Sequence, residues 1–203
     1  MVRVTGNFGG QAPLSEVVRS ALAAAVDAGW ADPRKISQAS TRSRILESHA
    51  LESLASGLGL AVDEIEIVGE EELATFLALS GFLTPERELI VGAIDRGKIR
   101  ALTRSHIKHR VIPVDQQGRL IPESLSRYSV LSLQVANGET GIYQDLEAFS
   151  NSAEIIVLDA TSAAPRVSLG QGWDGAIFSA ASWGGPSGIA VMAIRNSARW
   201  RYP

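Results

Sequence analysis

A chain of 203 residues, 45% apolar and 20% charged, is long and apolar enough to bury a full core, which excludes a mainly disordered protein. Its net charge of -3 offers no general basic field for nucleic acid, and the absence of cysteine excludes disulfides, thiolate metal sites and a cysteine nucleophile within these residues. No stretch approaches the roughly 18 continuous apolar residues of a membrane helix, and Met1–Asn7 lacks the apolar core of a signal peptide, so a soluble, cytoplasmic protein is expected.

Apolar residues first recur at helical spacing at Leu14, Val17, Val18, Leu22, Ala25 and Val26, behind Pro13. A second helix is predicted through Ile45, Leu46, Leu51 and Leu54, ending near Gly57 or Gly59. Seven strand-like runs follow: Glu64 to Val68, Leu89 to Ile94, Val111 to Val114, Val130 to Val135, Ile155 to Asp159, Ala176 to Ser179, and Gly188 to Ile194. Helical or turn-like segments, such as Glu70 to Leu79 and Gly97 to Lys108, separate most of them. That alternation predicts an α/β domain with a mostly parallel sheet of about seven strands and helices on both faces. The runs at Leu89–Ile94 and Ile155–Asp159 are apolar throughout, as strands covered on both faces are. Only Ala180 to Ser187 joins the last two runs, too short for a parallel crossover, so one of them is expected to be antiparallel. No repeat or linker divides residues 1 to 203, which read as one domain.

Ligands of open parallel sheets sit at the carboxyl ends of the strands. Three turns stand out there: Val135-Ala136-Asn137-Gly138-Glu139-Thr140-Gly141, Leu158-Asp159-Ala160-Thr161-Ser162, and Ser179 to Gly188. Asp159, at the end of an apolar strand, is placed either to meet a cationic ligand group or to cap a turn. Taken in order, these turns resemble the class V aminotransferase family, and within it the NifS-like cysteine desulfurases. Asn7 to Leu14 is similar to the family's Asp-Asn-Ala-Ala-Thr-Thr-Pro-Leu. Asp32-Pro33 to Arg44 falls where the family has Asn-Pro-Ser-Ser and its arginines, and Pro113 to Arg119 resembles Pro-Val-Asp-x-x-Gly-Arg. Ala136 to Gly141 resembles Ala-Asn-Asn-Glu-Thr-Gly, and Asp159-Ala160 the Asp-Ala of Asp-Ala-x-Gln. Ser179 to Gly188 resembles Ser-Ala-His-Lys-Phe-Gly-Gly-Pro-Lys-Gly. The resemblance implies most of the large domain of a type I pyridoxal phosphate (PLP)-dependent transferase, the aspartate aminotransferase-like fold. It also implies that the chain stops short of the family's small C-terminal domain.

The resemblance carries departures at the residues that do the chemistry. The family's lysine forms an imine with PLP and moves the substrate's proton; Ser182 stands in its place. The histidine before it is Ala181, and the glutamine after Asp-Ala is Ser162. The ring-stacking histidine falls near Arg96. The family's Gly-Gly-Thr-Glu-Ala, which opens a helix onto the cofactor phosphate, reads Glu70-Glu71-Glu72-Leu73-Ala74. A like-charge contact at ~4 Å costs roughly 4 kcal/mol at an effective dielectric of ~20, against ~0.3–1 kcal/mol returned by a helix end. Glutamates there support the helix and oppose a phosphate. Asn137 and Asp159 keep the family's residue types and would, without PLP, hold strand ends through backbone bonds.

The resemblance and its departures together imply no catalytic residue, no PLP and no metal, with a vestigial pocket of Arg96, Glu70, Glu71, Glu72, Asn137, Asp159, Ser162, Ser179, Ala181 and Ser182. Family analogy implies a homodimer or a heterodimer with an active homologue. Phe8, Trp183, Trp200 and Tyr202 are expected to group as an exposed patch that would support it. Two other functions stay open: an enzyme of altered, PLP-independent chemistry in the strand-end cleft, and a PLP enzyme with an unusual site. His106, Lys108 and His109, between Arg104 and Arg110, form a basic knot expected at a solvated helix end preceding a strand, in preference to a metal or anion site.

Overall fold

The computed structural model describes residues 12–203 except 30, 106, 107 and 196. Phe8, His106 and the first residues of the Asn7–Leu14 motif therefore lie outside the described residues. Helix α1 spans Glu16–Ala28 and starts where Ser15 Oγ accepts the Val18 N–H at 3.2 Å. Helix α2, Gln38–Leu58, starts seven residues before Ile45 because Ser37 caps it, accepting the Ser40 N–H. It stops at Gly59, whose left-handed φ of 68° suits glycine.

Seven strands follow: β1 (Ile65–Val68), β2 (Glu88–Gly92), β3 (His109–Ile112), β4 (Ser129–Gln134), β5 (Ile155–Asp159), β6 (Gly175–Ser179) and β7 (Ala190–Ile194). Helices α3 (Glu71–Ser80), α4 (Gly97–Leu102) and α5 (Leu146–Phe149) lie between them. The strands form one sheet in the order β1-β7-β6-β5-β4-β2-β3. Strands β2 to β6 pair in parallel, and β7 runs antiparallel to both β6 and β1. The antiparallel member is thus the second of the two expected candidates. Its connection is a 3-10 turn over Ala180–Trp183, ended by Gly184 at φ 81°.

Alternate residues of each strand feed opposite faces of the sheet. Ile90, Leu131, Leu133, Ile156, Leu158 and Phe178 pack with Leu51, Leu54 and Ala55 of α2 and Phe149 of α5. Leu89, Val91, Val130, Ile155, Val157 and Ile177 pack with Ala74, Leu77 and Ala78 of α3 and Ile99 of α4. By the same alternation Asp159 follows Ile155 and Val157 onto the α3 face.

The segment expected as helical or turn-like from Gly97 is both: helix α4 ends at Leu102, and Thr103 to Ser105 form a turn whose N–H groups bond back to Arg100, Ala101 and Leu102. Two expectations need correction. The basic knot is only in part a helix end: Arg104 lies in the turn after α4, while His109 and Arg110 open β3 and Arg110 pairs with Glu88 and Glu123. Among the described residues the aromatic side chains do not form one exposed patch. Trp183 packs into the α2-side core and Trp200 into the α3-side core, where its Nε1 donates to Leu77 O at 3.1 Å. Tyr202 stays exposed, stands edge-on to Trp200 and donates its hydroxyl to Glu66 Oε1.

Among the described residues, helix α1 presents an exposed apolar face. Its stripe is regular, yet no residue of it is buried, and Val17 and Val26 are 80% and 78% exposed. The segment ahead of it is anchored, with Ser15 N–H donating to Gly184 O and Ala12 N–H to Ala181 O. Among the described residues no helix is long and apolar enough to cross a membrane.

Candidate functional site

The carboxyl end of β5 delivers Asp159, which is 1% exposed at its side chain. Its Oδ1 accepts from the Thr161 N–H at 3.2 Å and from Thr161 Oγ1 at 2.6 Å. Its Oδ2 accepts from Arg96 Nε at 2.7 Å. Arg96 comes from the end of the turn between β2 and α4, two strands away, and reaches across β4. One of its Nη groups donates to Glu71, the first residue of α3, and the other to Thr75 Oγ1 at 3.3 Å. Thr75, one turn along from Glu71, donates its own hydroxyl back to Glu71 O at 2.9 Å. Burial alone would depress the Arg96 guanidinium, but the charges of Asp159 and Glu71 outweigh it and raise its pKa. The result is a cation held between two carboxylates under the strand ends.

Of the three glutamates, only Glu71 faces this cluster. Glu72 turns outward to Lys98 at 4.0 Å, and Glu70 is exposed and makes no side-chain cap to its helix. The expectation that the three together fill the helix's anion site is therefore corrected. Residues one step apart on a helix point about 100° apart, so three consecutive side chains cannot share one target.

Asn137 acts as a turn cap. Its Oδ1 accepts the N–H groups of Glu139 and Thr140, and its Nδ2 donates to Gln134 Oε1 and Ile94 O. It ties the end of β4 to the turn after β2. Ser179, buried at the end of β6, offers its carbonyl to Ser182 Oγ at 2.7 Å. Ser182 also approaches Ala164 O at 3.4 Å. Its proton is committed to backbone carbonyls, neither of which is a base. Ala181 is buried, and Ser162 is exposed beside Gly138, where an added Cβ would meet its hydroxyl at 2.9 Å.

Sequence reasoning missed three members: Thr75, Thr161 and Asp95. Thr75 carries the signal of lying four residues after Glu71, hence on the same helix face. Asp95 is buried beside Arg96. Its Oδ2 accepts the Gly92 N–H at 3.0 Å, while its Oδ1 has no partner among the described residues. Burial pushes its pKa from 3.8 to about 7, against that hydrogen bond, and the Asp159 charge adds to the rise. Among the described residues no group of three or more histidine or carboxylate side chains is placed to hold a metal ion.

No protein-family model matches the chain, and no curated protein does. Solved structures do match. A NifS-like protein superposes with a TM-score of 0.87 at 18% identity, covering 96% of this chain and 60% of that one. A variant of the protein C-DES with glycine covalently linked to its PLP cofactor gives 0.80 at 17% identity, covering 96% and 58%. The cysteine desulfurase CsdA from Escherichia coli gives 0.75 at 21% identity, covering 94% and 54%. The fold is thus the aspartate aminotransferase-like α/β fold of PLP-dependent cysteine desulfurases. The chain spans 60% or less of the length of these structures.

Proposed function

We propose that this chain is a non-catalytic relative of NifS-like cysteine desulfurases that has lost PLP binding and acts by pairing with itself or with an active homologue. The seat of Arg96 carries the proposal. In the family resemblance, Asp159 would meet the cofactor's pyridinium nitrogen and the start of α3 its phosphate. Arg96 here engages Asp159 and Glu71 at once, with its planar cation spanning the two positions. A phosphate at the start of α3 would meet the Glu71 carboxylate, and a pyridinium at Asp159 would have to displace a charged partner. Ser182 has a hydroxyl where an imine needs an amine. The residues present do not fit PLP.

Altered chemistry in the same cleft finds no support, since Ser182 Oγ donates only to backbone carbonyls. Association has support from α1, which presents Val17, Leu22 and Val26 outward on an anchored helix. An apolar helix face of this kind is ordinarily covered by another element or another chain.

Two measurements test the proposal together. Incubation with cysteine and PLP should release no sulfide, and light scattering should give twice the chain mass, falling to the chain mass in Val17→Glu/Val26→Glu. Catalytic sulfide release overturns the non-catalytic claim. A monomer mass for the unaltered chain, with no active homologue bound, overturns the association claim.

A further inference from the structure

Arg96 sits in its cluster as a ligand sits in a site. Its three acceptors belong to elements other than its own: Asp159 at the end of β5, and Glu71 and Thr75 on the first turns of α3. Two of the three, Asp159 and Thr75, are held in place without Arg96. Thr161 fixes the Asp159 carboxylate through Oδ1, and Thr75 is fixed by its bond to Glu71 O. The acceptors thus surround a planar, forked cation on three sides, an arrangement an ammonium cannot satisfy equally. The floor of the site is dry at Asp159, while the side chains of Arg96 and Glu71 stay 28% and 23% exposed, so the site opens to solvent on the Glu71 side.

We propose that Asp159, Glu71 and Thr75 form a guanidinium site whose resident occupant is Arg96, and that it accepts a free guanidinium or amidinium ion when that side chain is removed. The inference shares the Arg96 seat with the proposed function but does not depend on the likeness to PLP enzymes.

The test is Arg96→Ala, followed by thermal melting with millimolar methylguanidinium, methylammonium or PLP. The variant should melt below the unaltered protein. Methylguanidinium should restore most of the loss and bind about tenfold more tightly than methylammonium. The unaltered protein should not respond, and Arg96→Ala/Asp159→Asn should lose the response. Equal responses to the two cations, or equal responses of variant and unaltered protein, overturn the proposal. If Arg96→Ala is recovered unfolded, refolding yield becomes the readout. A higher yield with methylguanidinium than with methylammonium supports the site, and equal yields overturn it. Tight PLP binding by the unaltered protein would overturn the exclusion of the cofactor and leave the guanidinium site standing if Arg96→Ala still responds to methylguanidinium; the lack of that response would overturn the site whatever PLP does.

Discussion

Arg96 Nε donates to Asp159 Oδ2 at 2.7 Å between residues 63 apart in the chain. The bond ties the turn after β2 to the end of β5 over the intervening β4, so the strand ends that would open into a cleft are closed by an ion pair. Its second carboxylate, Glu71, brings α3 into the same tie.

Breaking this tie should be costly. Arg96→Ala leaves Asp159 buried without its counter-charge, a change that costs about 3–5 kcal/mol for a fully buried pair. Because Arg96 keeps 28% of its exposure, a loss near the lower figure, about 3 kcal/mol, is expected in chemical denaturation. Arg96→Lys should recover only part of it, since an ammonium cannot reach three acceptors in one plane.

The two neighbouring glutamates should behave differently. Glu71→Gln should cost about 1–2 kcal/mol by weakening a partly buried charged hydrogen bond. Glu72→Gln should stay within about 0.5 kcal/mol, since Glu72 is 45% exposed and 4.0 Å from an exposed lysine. Equal effects in urea denaturation would contradict the assignment of Glu71 alone to the cluster.

Asp95 should make stability depend on pH. Its carboxyl ionises at 3.8 ordinarily and at about 7 in the folded chain, because burial disfavours its charge. The folded state therefore holds a proton that the unfolded state gives up. The stability this confers is fully present below about pH 4 and is lost as pH rises through about 7. Asp95→Asn removes the titration, so the difference in stability should shift in favour of the variant between pH 4 and 7, by at most about 4 kcal/mol. A difference that is flat across that range, measured by urea denaturation at each pH, would contradict it.

Gly81 ends α3 with an ordinary φ of -65°, so its lack of a side chain answers packing rather than backbone strain. A Cβ there would overlap the Trp200 indole. Gly81→Ala should push the ring outward and break its bond to Leu77 O, red-shifting tryptophan fluorescence. The helix gain of about 1 kcal/mol from alanine should not compensate, leaving a net loss of about 1 kcal/mol.

The inner strands of the sheet were legible because they are buried on both faces. Runs such as Leu89–Gly92 and Ile155–Asp159 show unbroken apolar character between turn residues, and all seven strands fall within two residues of their expected starts. Helix α5 escaped notice because four residues carry no period; Asp145, which caps it, was its only local signal. Arg96, Glu71 and Asp159 each drew attention singly. Their meeting was not legible, since nothing local couples residues 25 and 63 positions apart. The alternation that puts Asp159 on the α3 face, and the helix step that separates Glu71 from Glu72, narrow the choice only once the sheet order is known. The aromatic patch failed for a related reason. Trp183 and Trp200 are distant in sequence and fall on opposite faces of one sheet, which composition cannot reveal.

The proposed occupation by Arg96 of the place that a PLP cofactor takes in the family is tested most directly by a spectrum. The purified chain, mixed with stoichiometric PLP, should show no visible absorbance band of a protein-bound imine and nothing for borohydride to abolish. Ser182→Lys, which restores the amine but leaves Arg96 and Glu71 in place, should behave the same way. A stoichiometric, borohydride-sensitive band in either protein would contradict the account, for it would mean that Arg96 and Glu71 do not close the site.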